Sequence, residues 1–261
     1  RAAAGGLGVS LFERLLLLKC TTVMLDEQYR MHPALSAGPA QAFYKGALHD
    51  AADVLHDKRW RDDVTFPWPV DKQPLLFLHH RDGEGGEERN AATGTSIRNR
   101  GEASRVAEVV RALISGGAAA NEIGVLTTYE AQRSLVSTLL ADAATAGVEV
   151  ANIDAYQGRE KGFTVLSLVR SNSRSNDLGF VKQDRRVNVA LTRARNGCVI
   201  VGDAQTCGQS STWAAMLRSY AARGVLCTGP LDQLRAYTLP ESAVHTLCDL
   251  SEFEVLMQRS S

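Results

Sequence analysis

The 261 residues, 44% of them hydrophobic and with a formal net charge of zero, suffice for one substantial core, or one core with a small subdomain. No apolar run approaches the ~20 residues of a transmembrane helix, no signal peptide opens the chain, and the neutral balance leaves no global basic footprint for nucleic acid. Cys20, Cys198, Cys207, Cys227 and Cys248 are scattered without a Cys-x-x-Cys pair, so neither a metal site nor a disulfide framework is indicated, and a reducing compartment is the expectation. Twenty-three of the twenty-nine basic residues are arginine, a bias that a GC-rich genome explains as readily as phosphate binding. An arginine where an initiating methionine would stand points to a piece of a longer protein.

In chain order, a loose Ala/Gly segment leads to Ser10, which can cap a helix over Leu11, Phe12, Leu15 and Leu16. Thr21 to Leu25 reads as a buried strand. Gln28-Tyr29-Arg30-Met31-His32-Pro33 follows it, with Pro33 suited to begin a helix. By itself this hexapeptide is equally a core Tyr29 and Met31 with a capping His32. Residues 45–74 lack periodicity and are anchored by Trp60, Phe66 and Trp68. Leu75 to Leu78 is a strand, and the Gly-rich, charged stretch 81–96 reads as a mobile loop. Val106, Val109, Val110, Leu113 and Ile114 mark an amphipathic helix. Ile123 to Leu126 is a strand ending in Thr127-Thr128-Tyr129, and a helix through Leu135, Val136, Leu139 and Leu140 succeeds it. Val148 to Ile153 and Phe163 to Val169 are further strands, separated by the charged, glycine-broken stretch 154–161. Asp184 can cap a helix through Val187, Ala190, Leu191 and Ala194 that Gly197 stops, and Cys198 to Val201 is the strand after it. Trp213, Met216, Leu217 and Tyr220 mark a last helix, and Val225 to Cys227 a last strand. Strands alternating with helices predict an α/β fold, a doubly wound and mainly parallel sheet with flanking helices.

Four polar clusters fall where strands end: 28–32, 127–132, 152–160 and 184–195. In a parallel sheet several of them are expected along one edge, where Arg30, Arg159, Arg193, Thr127, Thr128, Gln157 and Glu160 suit a phosphate-bearing ligand. Arg185, Arg186, Arg193 and Arg195 crowd one helix, and they must meet solvent, carboxylates from elsewhere, or phosphate. A Gly-x-x-x-x-Gly-Lys-[Ser/Thr] loop is missing, and the Asp26-Glu27 pair, which runs straight into Gln28, gives no reason to make it a metal site. Phosphate ligands without the catalytic machinery are what half of a two-lobed site would offer.

The hexapeptide 28–33, Thr127 to Gln132, Val150 to Glu160 and Asn188 to Arg195 resemble, in order and spacing, the C-terminal motor motifs of superfamily 1B helicases. Within that superfamily the chain is most similar to the up-frameshift RNA helicases of nonsense-mediated mRNA decay. Ser10 to Leu15, Ala34 to Ser36, Phe66 to Pro69 and Gly229 to Leu231 support that narrower likeness. The resemblance implies a RecA-like second lobe over residues 1–239, a P-loop NTPase-type lobe without its own P-loop, and leaves 240–261 as an unassigned extension. It implies ATP bound against a first lobe that carries the magnesium ligands. Tyr29 would stack on adenine, Arg30 and Arg193 would be arginine fingers, and Gln157 and Glu160 would bind the nucleotide. Thr127, Thr128 and Asn152 would touch the backbone of single-stranded RNA. Thr128, Asn152, Tyr156 and Gly162 stand where the family usually has proline, serine, phenylalanine and aspartate. Implied partners are RNA, the first lobe and mRNA decay factors, with no membrane and a cytoplasmic location; the isolated chain is expected to be inactive. The open alternatives are the same lobe of another superfamily 1B helicase, or a degenerate lobe serving as a protein-interaction module.

Overall fold

Unbroken apolar strands need cover on both faces, and the chain supplies it with helices wound to either side of one sheet. The computed structural model describes residues 9–56, 60–81, 86–89, 96–172 and 178–240. The elements begin with α1 (Leu11–Leu17), β1 (Glu27–Gln28), α2 (Pro33–Tyr44), β2 (His49–Asp50), α3 (Ala52–His56) and β3 (Leu75–His79). They continue with β4 (Glu87–Arg89), β5 (Ile97–Asn99), α4 (Arg100–Ser115), β6 (Ile123–Thr127), α5 (Glu130–Leu139), β7 (Glu149–Asn152) and β8 (Lys161–Ser167). The last are α6 (Asp184–Leu191), β9 (Ala194–Gly202), α7 (Ala204–Cys207), α8 (Ser211–Ala222), β10 (Leu226–Thr228) and β11 (Arg235–Ala236).

Seven strands form the central sheet in the order β11-β10-β3-β9-β8-β6-β7, all parallel except β11. Residues of α4 and α5, among them Val106, Val110, Leu113 and Val136, cover one face. Met31, Leu35, Val187, Trp213, Leu217 and Tyr220, from or beside α2, α6 and α8, cover the other. The doubly wound sheet expected from the alternation of strands and helices is therefore present.

Three local expectations are corrected, and the two readings of 28–33 are told apart. Thr21–Leu25 is no buried strand: Val23 and Leu25 are 86% and 85% exposed, because the segment finds no strand to pair with among the described residues. The arginine helix α6 ends at Leu191 instead of running to Gly197, and Gln183, not Asp184, precedes its first turn. Its last carbonyls are taken by side chains: Thr192 Oγ1 donates to the Asn188 carbonyl (2.8 Å) and Arg193 Nε to that of Val189 (2.8 Å). The stretch 81–96 holds a strand, since β4 pairs antiparallel with β5 as a small separate sheet. Finally, Tyr29 is exposed whereas Met31 is core and His32 caps α2, its Nδ1 accepting from the Ala34 amide at 3.0 Å. The extension 241–261 lies outside the described residues.

The carboxyl edge of the sheet carries a buried polar network. Glu102 of α4 accepts from Ser167 Oγ (2.6 Å) and from the Val169 amide (2.8 Å), and the buried Arg170 pairs with Glu87 at 2.9 Å. His79 stacks on Tyr237 and its Nδ1 accepts from the Ala204 amide (3.1 Å), a bond only the neutral ring can make. Burial pushes this imidazole from 6.5 down to about 4, outweighing the pull of the Asp203 carboxylate.

Two outcomes follow from this packing. A methyl on Gly124 would meet the Tyr156 hydroxyl at 2.5 Å, so Gly124→Ala should destabilise the lobe by roughly 1–3 kcal/mol, and Tyr156→Phe in the same chain should recover part of that loss in urea titrations. Below pH 6.5 the unfolded chain takes up a proton that native His79 refuses until about pH 4, so stability falls as pH drops through this window, by about 2–3 kcal/mol. Comparing urea midpoints at pH 7 and pH 5 should show a smaller drop for His79→Gln than for the wild type.

Candidate functional site

One cleft of about 440 Å³ opens beside the amino ends of β8 and β9, lined by Gln28, Tyr29, Arg30, Met31, Tyr44, Leu48, Glu160, Thr192, Arg193 and Arg195. Its size is that of a small-molecule site. Its walls come from four places in the sequence: the turn after β1, the end of α2, the start of β8 and the start of β9. The β8–β9 ladder brings the last two together, with Lys161 opposite Ala194 and the Lys161 amide donating to the Arg193 carbonyl at 3.0 Å. The turn after β1 docks on the same ladder, since the His32 amide donates to the Arg195 carbonyl at 2.8 Å.

The charge in the cleft is unbalanced. Three guanidinium groups, of Arg30, Arg193 and Arg195, face a single carboxylate, Glu160. Arg30 Nε donates to Glu160 Oε2 (2.6 Å) and its Nη1 to the Thr192 carbonyl (2.9 Å). Arg195 Nη1 lies 3.7 Å from Glu160 Oε1, and its buried Nε has no hydrogen-bond partner. Arg193 is held by neutral acceptors: the Val189 carbonyl (2.8 Å), Thr192 Oγ1 (2.8 Å) and the Arg159 carbonyl (3.4 Å). Among the described residues no carboxylate comes within ion-pair distance of it. Burial lowers its pKa, and the neighbouring charge of Arg30 adds to the effect. A half-buried cation with only dipolar partners favours an arriving anion. The donor set thus fits a polyanion and gives a metal ion no carboxylate cluster.

The remaining arginines of the region are neutralised. Arg185 reaches Glu13 of α1 (2.8 Å), and Arg186 reaches Asp154 (2.6 Å). Arg159, grouped with the phosphate ligands in the sequence, turns away to Glu149 (2.5 Å) and lies over the Tyr156 ring. Gln157 is likewise outside the cleft. Gly158, at φ +82°, reverses the chain after it, so Gln157 stays exposed on the loop while Glu160 enters.

The polar clusters do not share one edge. Thr127 and Asn152 lie side by side at the carboxyl ends of β6 and β7, whereas Glu160, Arg193 and Arg195 stand at the amino ends of β8 and β9. Thr127 is fully buried and Thr128 half-buried, and neither hydroxyl has a hydrogen-bond partner. Asn152 ties the edge together, donating to the Thr128 carbonyl (3.2 Å) and accepting from the Asp154 amide (3.1 Å).

Arg195, Thr192, Tyr44 and Leu48 line the cleft without having been singled out as ligands. Arg195 was legible from the alternation Arg193-Ala194-Arg195, in which the central alanine is buried, once this stretch is read as strand. Tyr44, whose hydroxyl accepts from Asn188 Nδ2 at 3.1 Å, gave no local signal. The buried thiols Cys198 and Cys207 are not candidates for chemistry, since burial pushes Cys198 up to about 11 and Cys207 well above its ordinary value.

Sheet and cleft together define an α/β lobe with an arginine-rich cleft at the amino edge of its central strands. A family model described as an AAA domain matches residues 7–205, and the chain belongs to that family. It is 42% identical over 241 residues to the "Regulator of nonsense transcripts 1 homolog" of Neurospora crassa, covering 90% of this chain and 21% of that protein. Against the homologue of the same name in Arabidopsis thaliana it is 40% identical, covering 90% of this chain and 19% of that protein. Against "ATP-dependent helicase NAM7" of Saccharomyces cerevisiae it is 37% identical, covering 92% of this chain and 24% of that protein. The chain spans about a fifth of the length of the curated relatives it matches. These matches bear out the resemblance to the second lobe of the up-frameshift helicases.

Proposed function

We propose that this chain, over residues 1–239, is the second motor lobe of an ATP-dependent RNA helicase acting in nonsense-mediated mRNA decay in the cytoplasm. The observation that carries the reading is Arg193, a half-buried guanidinium satisfied by neutral acceptors in a cleft with two further arginines and one carboxylate. Arg30 and Arg193 act as fingers on the phosphates of ATP, with Arg195 beside them. Exposed Tyr29 offers its ring to the base, and Glu160 exchanges its arginine partners for the nucleotide. Magnesium and the attacking water are held by the first lobe.

The N-terminal segment supports a partner lobe. Among the described residues, ten of the twelve exposed large hydrophobic side chains fall between Val9 and Leu25, and α1 buries none of its own. This apolar ribbon leads directly into the wall of the cleft, so a lobe closing over the nucleotide would cover both. At the opposite edge, Thr128 and Asn152 contact the RNA backbone, with Thr127 buried beneath them. Contact with backbone alone suits a motor that steps along any sequence.

The test is RNA-stimulated ATP turnover by the intact parent protein, wild type against Arg193→Ala. A loss of about 10³-fold or more is expected for a finger, with RNA and nucleotide binding retained; undiminished turnover would overturn the reading. The isolated chain should hydrolyse ATP negligibly, and turnover by it at the rate of the parent would show that no second lobe is needed.

A further inference from the structure

We infer that Gln28 is the positioning residue of the cleft, a side chain that touches no ligand yet sets the turn presenting Tyr29 and Arg30. This rests on the proposed reading of the cleft as a nucleotide site.

The turn from Tyr29 to His32 leaves β1 after only two strand residues and is not itself part of a ladder. Its geometry is imposed by the preceding side chain. Gln28 Oε1 accepts from the Arg30 amide (3.0 Å) and the Met31 amide (2.7 Å). Gln28 Nε2 donates to the Met31 carbonyl (2.9 Å) and to Asp50 Oδ1 (2.5 Å). All four hydrogen-bonding positions of the carboxamide are filled, and the residue is only 9% exposed. Asp50 is itself fixed, accepting from Ser36 Oγ at 2.6 Å, and the Ala51 amide donates to the Gln28 carbonyl at 3.0 Å. β1, β2 and α2 are thereby locked to the turn through one amide.

The chemistry requires glutamine. A glutamate could accept from the two turn amides, but it would lose both donations and set a second carboxylate against Asp50. An asparagine is one methylene too short to reach the same four partners. A rotated amide would point its NH2 at two N–H donors. Arg30 must deliver its guanidinium to a phosphate with the accuracy that turnover demands, and a misplacement of ~1 Å can lower a rate about 10²-fold.

The experiment is steady-state ATP turnover by the intact parent protein on single-stranded RNA, with Gln28→Glu and with the double variant Gln28→Glu plus Asp50→Asn. For Gln28→Glu, kcat should fall about 10–100-fold and KM for ATP should rise, because the finger and the base-stacking ring are displaced together. RNA affinity without nucleotide should stay near wild type, while the melting temperature falls because two carboxylates are set against each other. A merely structural defect would instead lower the active fraction and leave KM in place. The Asp50→Asn change returns a donor to face the introduced carboxylate, and the double variant should recover most of the lost turnover. Unchanged kcat and KM in Gln28→Glu, or a loss that Asp50→Asn does not relieve, would overturn the inference. If Gln28→Glu fails to fold, Gln28→Met, uncharged and of similar length, should show the same rise in KM, and an unaltered KM there would overturn it as well. Arg193→Ala separates the two levels: if it too leaves turnover intact, the reading of the cleft fails, and if it alone abolishes turnover, only the role of Gln28 does.

Discussion

The pairing of β8 with β9 is the constraint on which the rest of this lobe depends. Along most of its length it is a regular parallel ladder with both faces buried. At the amino end the register slips: Lys161 pairs with Ala194 while Phe163 pairs with Gly197, so two steps on β8 match three on β9. The extra residue lies at Arg195–Asn196, where two consecutive side chains are half-buried instead of alternating. A bulge of this kind re-aims a side chain next to a site. Here it leaves Arg195 facing the cleft beside Arg193, and it brings Glu160 alongside through the Lys161–Arg193 hydrogen bond. Gly197 permits it, because a methyl there would meet Trp68 and Phe163 inside 3 Å.

The electrostatics follow from that geometry. Arg193 uses its Nε to close the carboxyl end of α6, where the helix dipole and free carbonyls favour a cation. Its charge is accommodated but not cancelled. Glu160 holds Arg30 close at 2.6 Å and Arg195 at 3.7 Å, keeping two like charges near a third. The cleft therefore carries a net positive potential for an incoming anion. Arg185 and Arg186, two turns of chain away from this function, are paired at the surface and contribute little by comparison.

Much of this was legible in the sequence, for local reasons. Strands such as Leu75–His79 and Ile123–Thr127 are apolar runs bounded by turns, and helices such as α4 show their periodicity. Ser10 and His32 cap their helices by local chemistry. What escaped was non-local. The apolar run Thr21–Leu25 has the composition of a buried strand but has no partner among the described residues, a fact no local pattern records. The ends of α6 and β9 were misjudged because Thr192 and Arg193 terminate the helix through side-chain bonds, well before the glycine that looked like the stop. Several of the polar clusters are expected on one edge because each adjoins a strand. Composition does not say which end of the strand, and the chain crosses the sheet between Asn152 and Glu160.

That crossing has a mechanical consequence. The two edges of the sheet are separated by the length of a five-residue strand, about 16 Å, and the strands between them are rigid plates of buried apolar residues. One continuous stretch of backbone runs from Asn152 on one edge, through the buried Ile153 and Tyr156, to Glu160 on the other. It is short, and it is held by the buried Tyr156 and at both ends by hydrogen bonds. Asn152 at one end of this segment holds the Thr128 carbonyl, and Glu160 at the other holds Arg30, so the two rims are joined by one run of nine residues. Within a single lobe, the arginine-lined rim and the Thr128–Asn152 rim are two ends of the same segment.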